Sequence, residues 1–377
     1  MANAGQSNSS PYCHIKNVHD ARYRLSNFRR ALRSWFIPYI KSRAFCKEFS
    51  PLLSYLYTDL ECNLDCHYCF SWGKKIPGIS MQAAKDSIQW LQSVDCKVLA
   101  FMGGEPLLRK DFILELTRYA VERAFFVYLP TNGILLDQSF IDEIGRAGIS
   151  VINLAVDAVD SCKGIPKSYN RIKQQCEYLV EKENKYGYIT FFNINITQKN
   201  IKDVKILTEI AHNYEIATDY HINEPPLIQY KDFAHYTDSP LITENEFEEL
   251  DKLIDWLIEK NFEGYTMVNS VEHLRAMKLF IRHRLPAWPC LAGKYSLVIR
   301  MDGSFAPCFE LYGTNEDWGN IYEGPKFSPL KLAAQKQKCS PHCLSTCNFQ
   351  VNHYSKSILY SLQWIAKHAY AHFLGTS

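Results

Sequence analysis

The sequence lacks any long uncharged apolar run, since no stretch approaches the roughly 18 residues that read as a membrane-spanning helix. Its first ten residues, MANAGQSNSS, are polar and lack the apolar region of a secretory signal. An excess of one charge is also missing, because 42 Lys and Arg against 40 Asp and Glu leave a net charge of +2. These absences predict a cytoplasmic protein and argue against nucleic-acid binding, which usually needs a concentrated basic surface.

Cysteine, in contrast, is plentiful: the 377 residues include 13. An odd number without an export signal argues against a disulfide framework and favours metal or redox use. The cysteines fall into two groups, and the scattered remainder are interpreted as ordinary small buried residues. The first group is Cys62, Cys66 and Cys69, the second is Cys290, Cys308, Cys339, Cys343 and Cys347, and the scattered ones are Cys13, Cys46, Cys96, Cys162 and Cys176.

From Leu52 onward, strand-like apolar runs alternate with amphipathic helical segments. This alternation predicts an α/β protein with a parallel sheet, whose functional groups collect at the carboxyl ends of the strands. Hydrophobic residues at 47% and charged residues at 22% fit a globular protein. The predicted strands lie in 52–60, 97–102, 125–130, 151–156, 189–196 and 219–223, and the predicted helices in 80–93, 111–122, 139–147, 169–185 and 201–214.

Polar motifs follow the first four predicted strands. They are Cys62–Cys69, Gly103-Gly104-Glu105-Pro106, Thr131-Asn132-Gly133 and Asp157, in that order. Because parallel strands end at one edge of their sheet, we expect these four motifs to converge on one rim.

Composition divides the chain into four parts: an N-terminal extension (1–50), the α/β core (51–239), a helical connector (240–286) and a C-terminal domain with the second cysteine group (287–377). In the last part, SLVIRMDGSFAPC has the alternation and Asp-Gly turn of a hairpin, and Ser355–Phe373 predicts an amphipathic helix. In the extension, Phe28–Phe45 predicts a basic amphipathic segment interrupted by Pro38. It either packs on its own domain or makes peripheral membrane contact.

The loop ECNLDCHYCF places three thiols within eight residues, close enough to wrap one cluster. A four-iron cluster needs one ligand for each iron, so three cysteines leave one iron open to a substrate or cofactor. Zinc is the alternative, although it prefers four ligands, commonly in paired Cys-x-x-Cys knuckles.

Together with the other rim motifs, this loop resembles the signature of the radical S-adenosylmethionine (radical SAM) superfamily, whose loop has an aromatic residue where this chain has Tyr68. GGEP at 103–106 and TNG at 131–133 match further elements of that superfamily, and Asn195 and Asn200 resemble its fifth-strand region. The chain departs from the pattern at 155–158, where Ala-Val-Asp-Ala replaces the frequent Ser-Leu-Asp-Gly. The resemblance covers roughly residues 52–225, about half of the chain.

The resemblance implies a (β/α)6 partial TIM barrel with a small C-terminal cluster-binding domain. It also implies a [4Fe-4S] cluster on Cys62, Cys66 and Cys69, which takes one electron from a donor such as flavodoxin or ferredoxin and cleaves S-adenosylmethionine. The resulting 5′-deoxyadenosyl radical abstracts hydrogen from a substrate that the barrel shields from water. The residues implied in S-adenosylmethionine binding are Tyr68, Gly103, Gly104, Glu105, Pro106, Thr131, Asn132 and Asp157.

The second cysteine group resembles the SPASM and twitch auxiliary-cluster domains, although the even spacing in CSPHCLSTC departs from them. It implies one auxiliary [4Fe-4S] cluster on Cys290, Cys308, Cys343 and Cys347, with Cys339 as a spare or alternative ligand; zinc is again the alternative. A cluster there can accept an electron from a substrate radical, which favours net oxidation.

Two residues are candidates for acid or base catalysis, His221 at the sixth strand end and Glu310 after Cys308, with a purely structural role as the alternative for each. The expected substrate is a small molecule, a lipid or a peptide. The 50 residues before the first strand are fewer than the leader-binding domain of many peptide-modifying relatives, which favours a small molecule or lipid. Alternative functions are peptide modification, non-catalytic electron transfer and a zinc-stabilised binding module.

Overall fold

The structure, a computed structural model, describes residues 29–30, 32–44, 49–69, 77–228, 235 and 237–355. The strands are β1 Leu53–Tyr57, β2 Val98–Met102, β3 Phe126–Thr131, β4 Val151–Ala155, β5 Ile189–Ile196, β6 Ala217–Ile222, β7 Ser296–Ile299, β8 Phe305–Ala306, β9 Gly319–Asn320 and β10 Gly324–Pro325. The helices are α1 Ile37–Ala44, α2 Met81–Ser93, α3 Lys110–Glu122, α4 Gln138–Arg146, α5 Tyr169–Tyr186, α6 Ile201–Asn213, α7 Phe247–Phe262, α8 Val271–Phe280, α9 Pro329–Cys339 and α10 Thr346–Ser355.

The main sheet has eight strands in the order β6-β5-β4-β3-β2-β1-β7-β8. From β1 to β6 each strand pairs in parallel with the next strand of the sequence, and a helix covers each crossover. The six predicted strands and the five helices between them are confirmed. The fold is the predicted α/β partial barrel.

Side chains alternate between the two faces of the strands. On the outer face, residues such as Leu99, Phe101 and Ile152 join the main core, which includes Ile88 of α2 and Ile113 of α3. The inner face is called the lumen below. Its residues alternate with those of the outer face and include the apolar floor formed by Val98, Phe126, Val151, Phe191 and Ala217.

Local signals at the ends of the helices explain where they begin and end. Ser80 accepts a hydrogen bond from the N–H of Ala83 at the start of α2, and Asp137 does the same for Phe140 at the start of α4. Each such cap stabilises a helix by about 1 kcal/mol. Helix α5 ends at Gly187, whose φ of +73° is left-handed and suits glycine. The chain can then turn directly into β5.

The predicted hairpin is present as β7 and β8, which pair antiparallel around a turn containing Gly303. β7 also pairs in parallel with β1, so the hairpin extends the barrel sheet. No sequence pattern indicated this pairing, and the predicted domain boundaries stay predictions. Most of the predicted helix Ser355–Phe373 lies outside the described residues.

The described part of the N-terminal extension packs on the barrel. A π-helical turn at Leu32–Phe36 precedes α1, and Ser34 donates a hydrogen bond to the carbonyl of Ala124 (3.0 Å). Tyr39 is buried against Leu52 and Tyr295. These contacts support packing on the chain's own domain, while membrane contact stays a prediction. Among the helices of the described residues, none combines the length and the apolar composition of a membrane-spanning segment.

Candidate functional site

The cysteine loop begins directly after β1. The Asp59 carboxylate accepts hydrogen bonds from the next two backbone N–H groups, at 2.7 and 2.9 Å, which turns the chain out of the sheet. Cys66 is buried, whereas Cys62 and Cys69 are half-buried. Burial raises the pKa of Cys66 to about 12. Because iron binds the thiolate, ligation at this position must release a proton.

The end of β2 lies against this loop. The N–H of Gly104 bonds to the carbonyl of Asp59 (3.2 Å), and the N–H of Glu105 bonds to the carbonyl of Glu61 (2.8 Å). A Cβ atom would lie 2.6 Å from the Asp59 carbonyl oxygen at Gly103 and 2.1 Å from the Glu61 carbonyl oxygen at Gly104. Both distances are too short for a side chain, so the close approach of the two backbones requires glycine.

Glu105 joins the ends of β2 and β3. Its carboxylate accepts hydrogen bonds from the Thr131 hydroxyl (2.7 Å) and the N–H of Asn132 (2.8 Å). Burial raises the pKa of Glu105, while these donors favour its charged form. Asn132 in turn donates to the side chain of Asn63 inside the cysteine loop, at 2.8 Å. Pro106 opens a short 3₁₀ turn. These predicted site residues therefore lie together on the rim.

Tyr68 and Asp157 connect the cysteine loop to the other side of the rim. The Tyr68 hydroxyl donates a hydrogen bond to the Asp157 carboxylate, which also accepts one from the N–H of Asn195 (2.7 Å). Asn200 donates to the backbone carbonyl of Asp157 at 2.6 Å. Asp157 is 1% exposed, and burial raises its pKa. The four motifs expected at one rim are thus within one network.

Lys167 was missed by the sequence reasoning. Its ammonium group lies 5.3 Å from the centre of the Tyr68 ring. Desolvation opposes the charge, but the loop thiols, Cys66 foremost, and the Asp157 carboxylate outweigh it and raise the pKa of Lys167. A nearby cation favours the thiolate form that iron binds. No motif marks Lys167, because it lies in an irregular segment well after β4.

A second polar group on the cysteine loop was also missed. The ligand atoms of Asp65, His67 and His235 lie within 4.8 Å of one another, and the two imidazole rings stack with centres 3.7 Å apart. His235 contacts Asp65 at 2.8 Å and Asp238 at 3.0 Å. These contacts attach the segment after β6 to the cysteine loop. Asp65 and His235 are 170 residues apart in sequence, so no local pattern could connect them.

His221 lies near the carboxyl end of β6, on the lumen side. Its Nε2 is 3.1 Å from the Asn193 amide nitrogen and 3.4 Å from an Asp219 carboxylate oxygen. These contacts place it in the interior of the barrel, which is where we expected from the sequence that the substrate would bind. Its catalytic role stays a prediction.

Four cysteines of the second group line one recess of about 410 Å³, including the part open to solvent. They are Cys290, Cys308, Cys339 and Cys343. Burial raises the pKa of each thiol. Apolar side chains such as Trp288 and Leu332 complete the lining. Four thiols around one recess match the number of ligands that a [4Fe-4S] cluster requires.

Cys347 is not among the residues that line this recess. It packs instead with Tyr55 and its neighbours on the lumen side of the sheet, and its environment also includes Asp219. The structure therefore places Cys339, the expected spare, with Cys290, Cys308 and Cys343, and places Cys347 elsewhere.

Glu310 lines the recess with the four thiols. A second carboxylate, Glu224, accepts a hydrogen bond from the N–H of Leu344 at 2.9 Å. Desolvation raises the pKa of both carboxyl groups, and repulsion by Glu310 raises that of Glu224 further. The sequence reasoning missed Glu224, because it lies in an irregular segment far from the second cysteine group. The catalytic role of Glu310 stays a prediction.

Fold and site together define a class of protein: a parallel α/β barrel with a three-cysteine loop at the carboxyl edge of its first strand. Residues 60–211 match the family model described as the radical SAM superfamily, so the resemblance to this superfamily that the sequence motifs indicated is confirmed. The cofactors of the superfamily are a [4Fe-4S] cluster and S-adenosylmethionine. The three thiols beside the glycine-lined end of β2 fit both.

Three similar proteins illustrate the relationship. Fe-coproporphyrin III synthase of Methanosarcina barkeri is 26% identical over 179 residues, 46% of this chain and 43% of the relative. AdoMet-dependent heme synthase of Oleidesulfovibrio alaskensis is 26% identical over 284 residues, 69% of each chain. The crystal structure of Streptococcus suis SuiB bound to precursor peptide SuiA has a TM-score of 0.59 at 15% identity, covering 78% of this chain and 69% of that chain. This chain thus spans less than half the length of the first relative.

Proposed function

We propose that the chain reductively cleaves S-adenosylmethionine at a [4Fe-4S] cluster held by Cys62, Cys66 and Cys69. When bound, the cluster and S-adenosylmethionine supply an electron and a 5′-deoxyadenosyl radical that abstracts hydrogen from a small-molecule, lipid or peptide substrate. The observation that carries the proposal is the packing of the three-thiol loop against Gly103 and Gly104 at the end of β2.

The chain's own residues perform three tasks in this proposal. The loop thiols bind iron, and Lys167 offsets their negative charge. Glu105 holds Asn132 against the loop, so that the rim presents fixed polar groups to S-adenosylmethionine. The remaining predicted contacts, Thr131, Asp157, Tyr68 and Pro106, lie in the same network or beside it.

For the auxiliary site we propose the ligand set Cys290, Cys308, Cys339 and Cys343, since these four thiols share one recess. A cluster there would supply an acceptor for the electron of a substrate radical, which supports net oxidation. Glu224 and Glu310 beside it could hold or release the accompanying proton. A SPASM- or twitch-like identity for this region, and a flavodoxin or ferredoxin as the external donor, belong to the same proposal.

Peptide modification is the second candidate function. The overall fold resembles that of SuiB, whose structure was determined with its precursor peptide SuiA. At 15% identity this likeness concerns the fold alone, so it supports a peptide as one possible class of substrate and no more.

The test is anaerobic reconstitution with iron and sulfide, followed by reduction with dithionite in the presence of S-adenosylmethionine. The expected result is formation of 5′-deoxyadenosine with about eight irons per chain, because each of two clusters holds four. An iron-sulfur protein that binds iron but forms no 5′-deoxyadenosine would instead be an electron carrier, and a colourless zinc protein would refute both clusters.

A further inference from the structure

The lumen changes character along its length. Above the apolar floor, β1 and β2 contribute Tyr55, Tyr57 and Ala100, which pack together. On the other side, β4 to β6 contribute polar side chains. These are Asn153, Asn193 and Asp219, with Asn193 and Asp219 in register on neighbouring strands. A mostly apolar lining with a few convergent polar groups is the usual form of a small-molecule site.

Two buried oxygen atoms on this wall have no hydrogen-bond partner among the residues that the structure describes. They are Oδ1 of Asn153 and Oδ1 of Asp219. The two residues are 9% and 8% exposed, respectively. The other carboxylate oxygen of Asp219 is 3.4 Å from His221. An unsatisfied buried acceptor costs about 1–3 kcal/mol, and more when it is charged. A ligand that donates hydrogen bonds to these oxygens would remove that cost.

The wall offers acceptors but no fixed positive charge. Among the described residues of β1 to β7, the lumen positions in alternation with the outer core include no lysine or arginine. The ammonium group of Lys167 interacts electrostatically with the loop thiols and with Asp157. A phosphate or carboxylate placed beside Asp219 would therefore be repelled, whereas an ammonium or amide N–H would be attracted.

We propose that this wall is the substrate-recognition subsite and that it takes a nitrogen group that donates hydrogen bonds, an ammonium or an amide, at Asn153 and Asp219. The inference rests on the proposed function for its meaning as a substrate subsite. The apolar floor and the tyrosines would contact the carbon skeleton of the same ligand. His221, which touches both Asn193 and Asp219, would position the Asp219 carboxylate.

The experiment measures binding to the anaerobically reconstituted holoprotein by isothermal calorimetry, with n-butylammonium, butyramide, n-butyrate and inorganic phosphate as probes. We expect the first two to bind and the last two to bind at least about tenfold more weakly. Asp219→Asn retains the size of the side chain and removes its charge. It should therefore weaken the binding of n-butylammonium by about tenfold and affect the binding of butyramide less. Asn153→Ala should weaken the binding of both n-butylammonium and butyramide.

Asp255→Asn is the matched control, because Asp255 lies on α7 with a side chain that is 70% exposed. Binding of n-butyrate or phosphate as tight as that of n-butylammonium would overturn the proposal, as would unchanged binding of n-butylammonium to a folded Asp219→Asn variant. The measurement does not depend on 5′-deoxyadenosine formation. Its failure is therefore distinguishable from a failure of the proposed function.

Discussion

The buried carboxylate of Glu105 accepts a hydrogen bond from the N–H of Asn132 at 2.8 Å, across 27 residues of sequence. Because Glu105 lies shortly after β2 and Asn132 directly after β3, this one side chain fixes the distance between two strand ends at the rim. Its other oxygen is occupied by the Thr131 hydroxyl and the N–H of Leu107. The carboxylate therefore has donors on both oxygens.

Glu105→Gln should destabilise the protein by about 1–3 kcal/mol, because the amide NH2 must face a donor on one side. We expect a lower thermal midpoint and weaker binding of S-adenosylmethionine in calorimetry. Glu115→Gln is the control, since Glu115 is 56% exposed. A wild-type midpoint for Glu105→Gln would show that the carboxylate is not needed as a tether.

Replacing Cys66 by alanine should remove about four irons per chain, the content of one cluster. Formation of 5′-deoxyadenosine should fall to background, because the iron that binds the cofactor is lost. Cys162→Ala, at an exposed cysteine, should retain both properties. Full iron content and turnover in Cys66→Ala would contradict the assignment.

The auxiliary ligand set is tested by comparing Cys339→Ala with Cys347→Ala. We expect Cys339→Ala to lower the iron content towards that of one cluster, because its thiol lines the recess. Cys347→Ala should leave the iron content near that of the wild type, because Cys347 lies against Tyr55. The reverse result would restore the set expected from sequence.

Gly104→Ala should prevent the end of β2 from approaching the cysteine loop, since the new Cβ would lie 2.1 Å from a backbone oxygen. We expect a loss of stability of about 1–3 kcal/mol, as for overpacking in a rigid site, and poor cluster retention during purification. Gly264→Ala is a useful comparison, because no atom of the described residues other than its chain neighbours lies within 4 Å of a Cβ there, although its positive φ adds strain. Equal cluster content in the two variants would argue against the contact.

His273 should make stability depend on pH. It is fully buried, its Nδ1 lies within hydrogen-bond distance of the Asn269 and Gln350 side-chain amides, and desolvation lowers its pKa to about 3. In the unfolded chain this histidine binds a proton below a pH of about 6.5, whereas in the folded chain it does not. Its contribution to the free energy of unfolding is therefore fully present above that pH and is lost as the pH falls towards 3.

Between about pH 7.5 and about pH 6 the expected loss is about 1 kcal/mol. Thermal midpoints measured on the holoprotein should fall less over this range in His273→Gln than in the wild type, because glutamine does not titrate. Identical pH dependence in the two proteins would exclude His273 as the cause.

Local features of the sequence were sufficient for the barrel and the cysteine loop. The periodicity of apolar residues indicated β1 to β6 and the helices between them. Each element buries one face, and the residues of that face recur at regular intervals within a short stretch of sequence. The three thiols of the loop lie within eight residues, so their spacing alone indicates that they bind one shared metal centre. GGEP and TNG could be placed on one rim because parallel strands end at one edge.

Tertiary structure decided what distant segments do to each other. The pairing of β7 with β1, the approach of Lys167 to the loop thiols and the contact of His235 with Asp65 each join positions far apart in sequence. The exchange of Cys339 for Cys347 in the recess has the same origin: α10 begins at Thr346, between the two cysteines, and carries Cys347 towards the lumen. Periodicity records which face of an element is buried, but not which remote side chain meets it there.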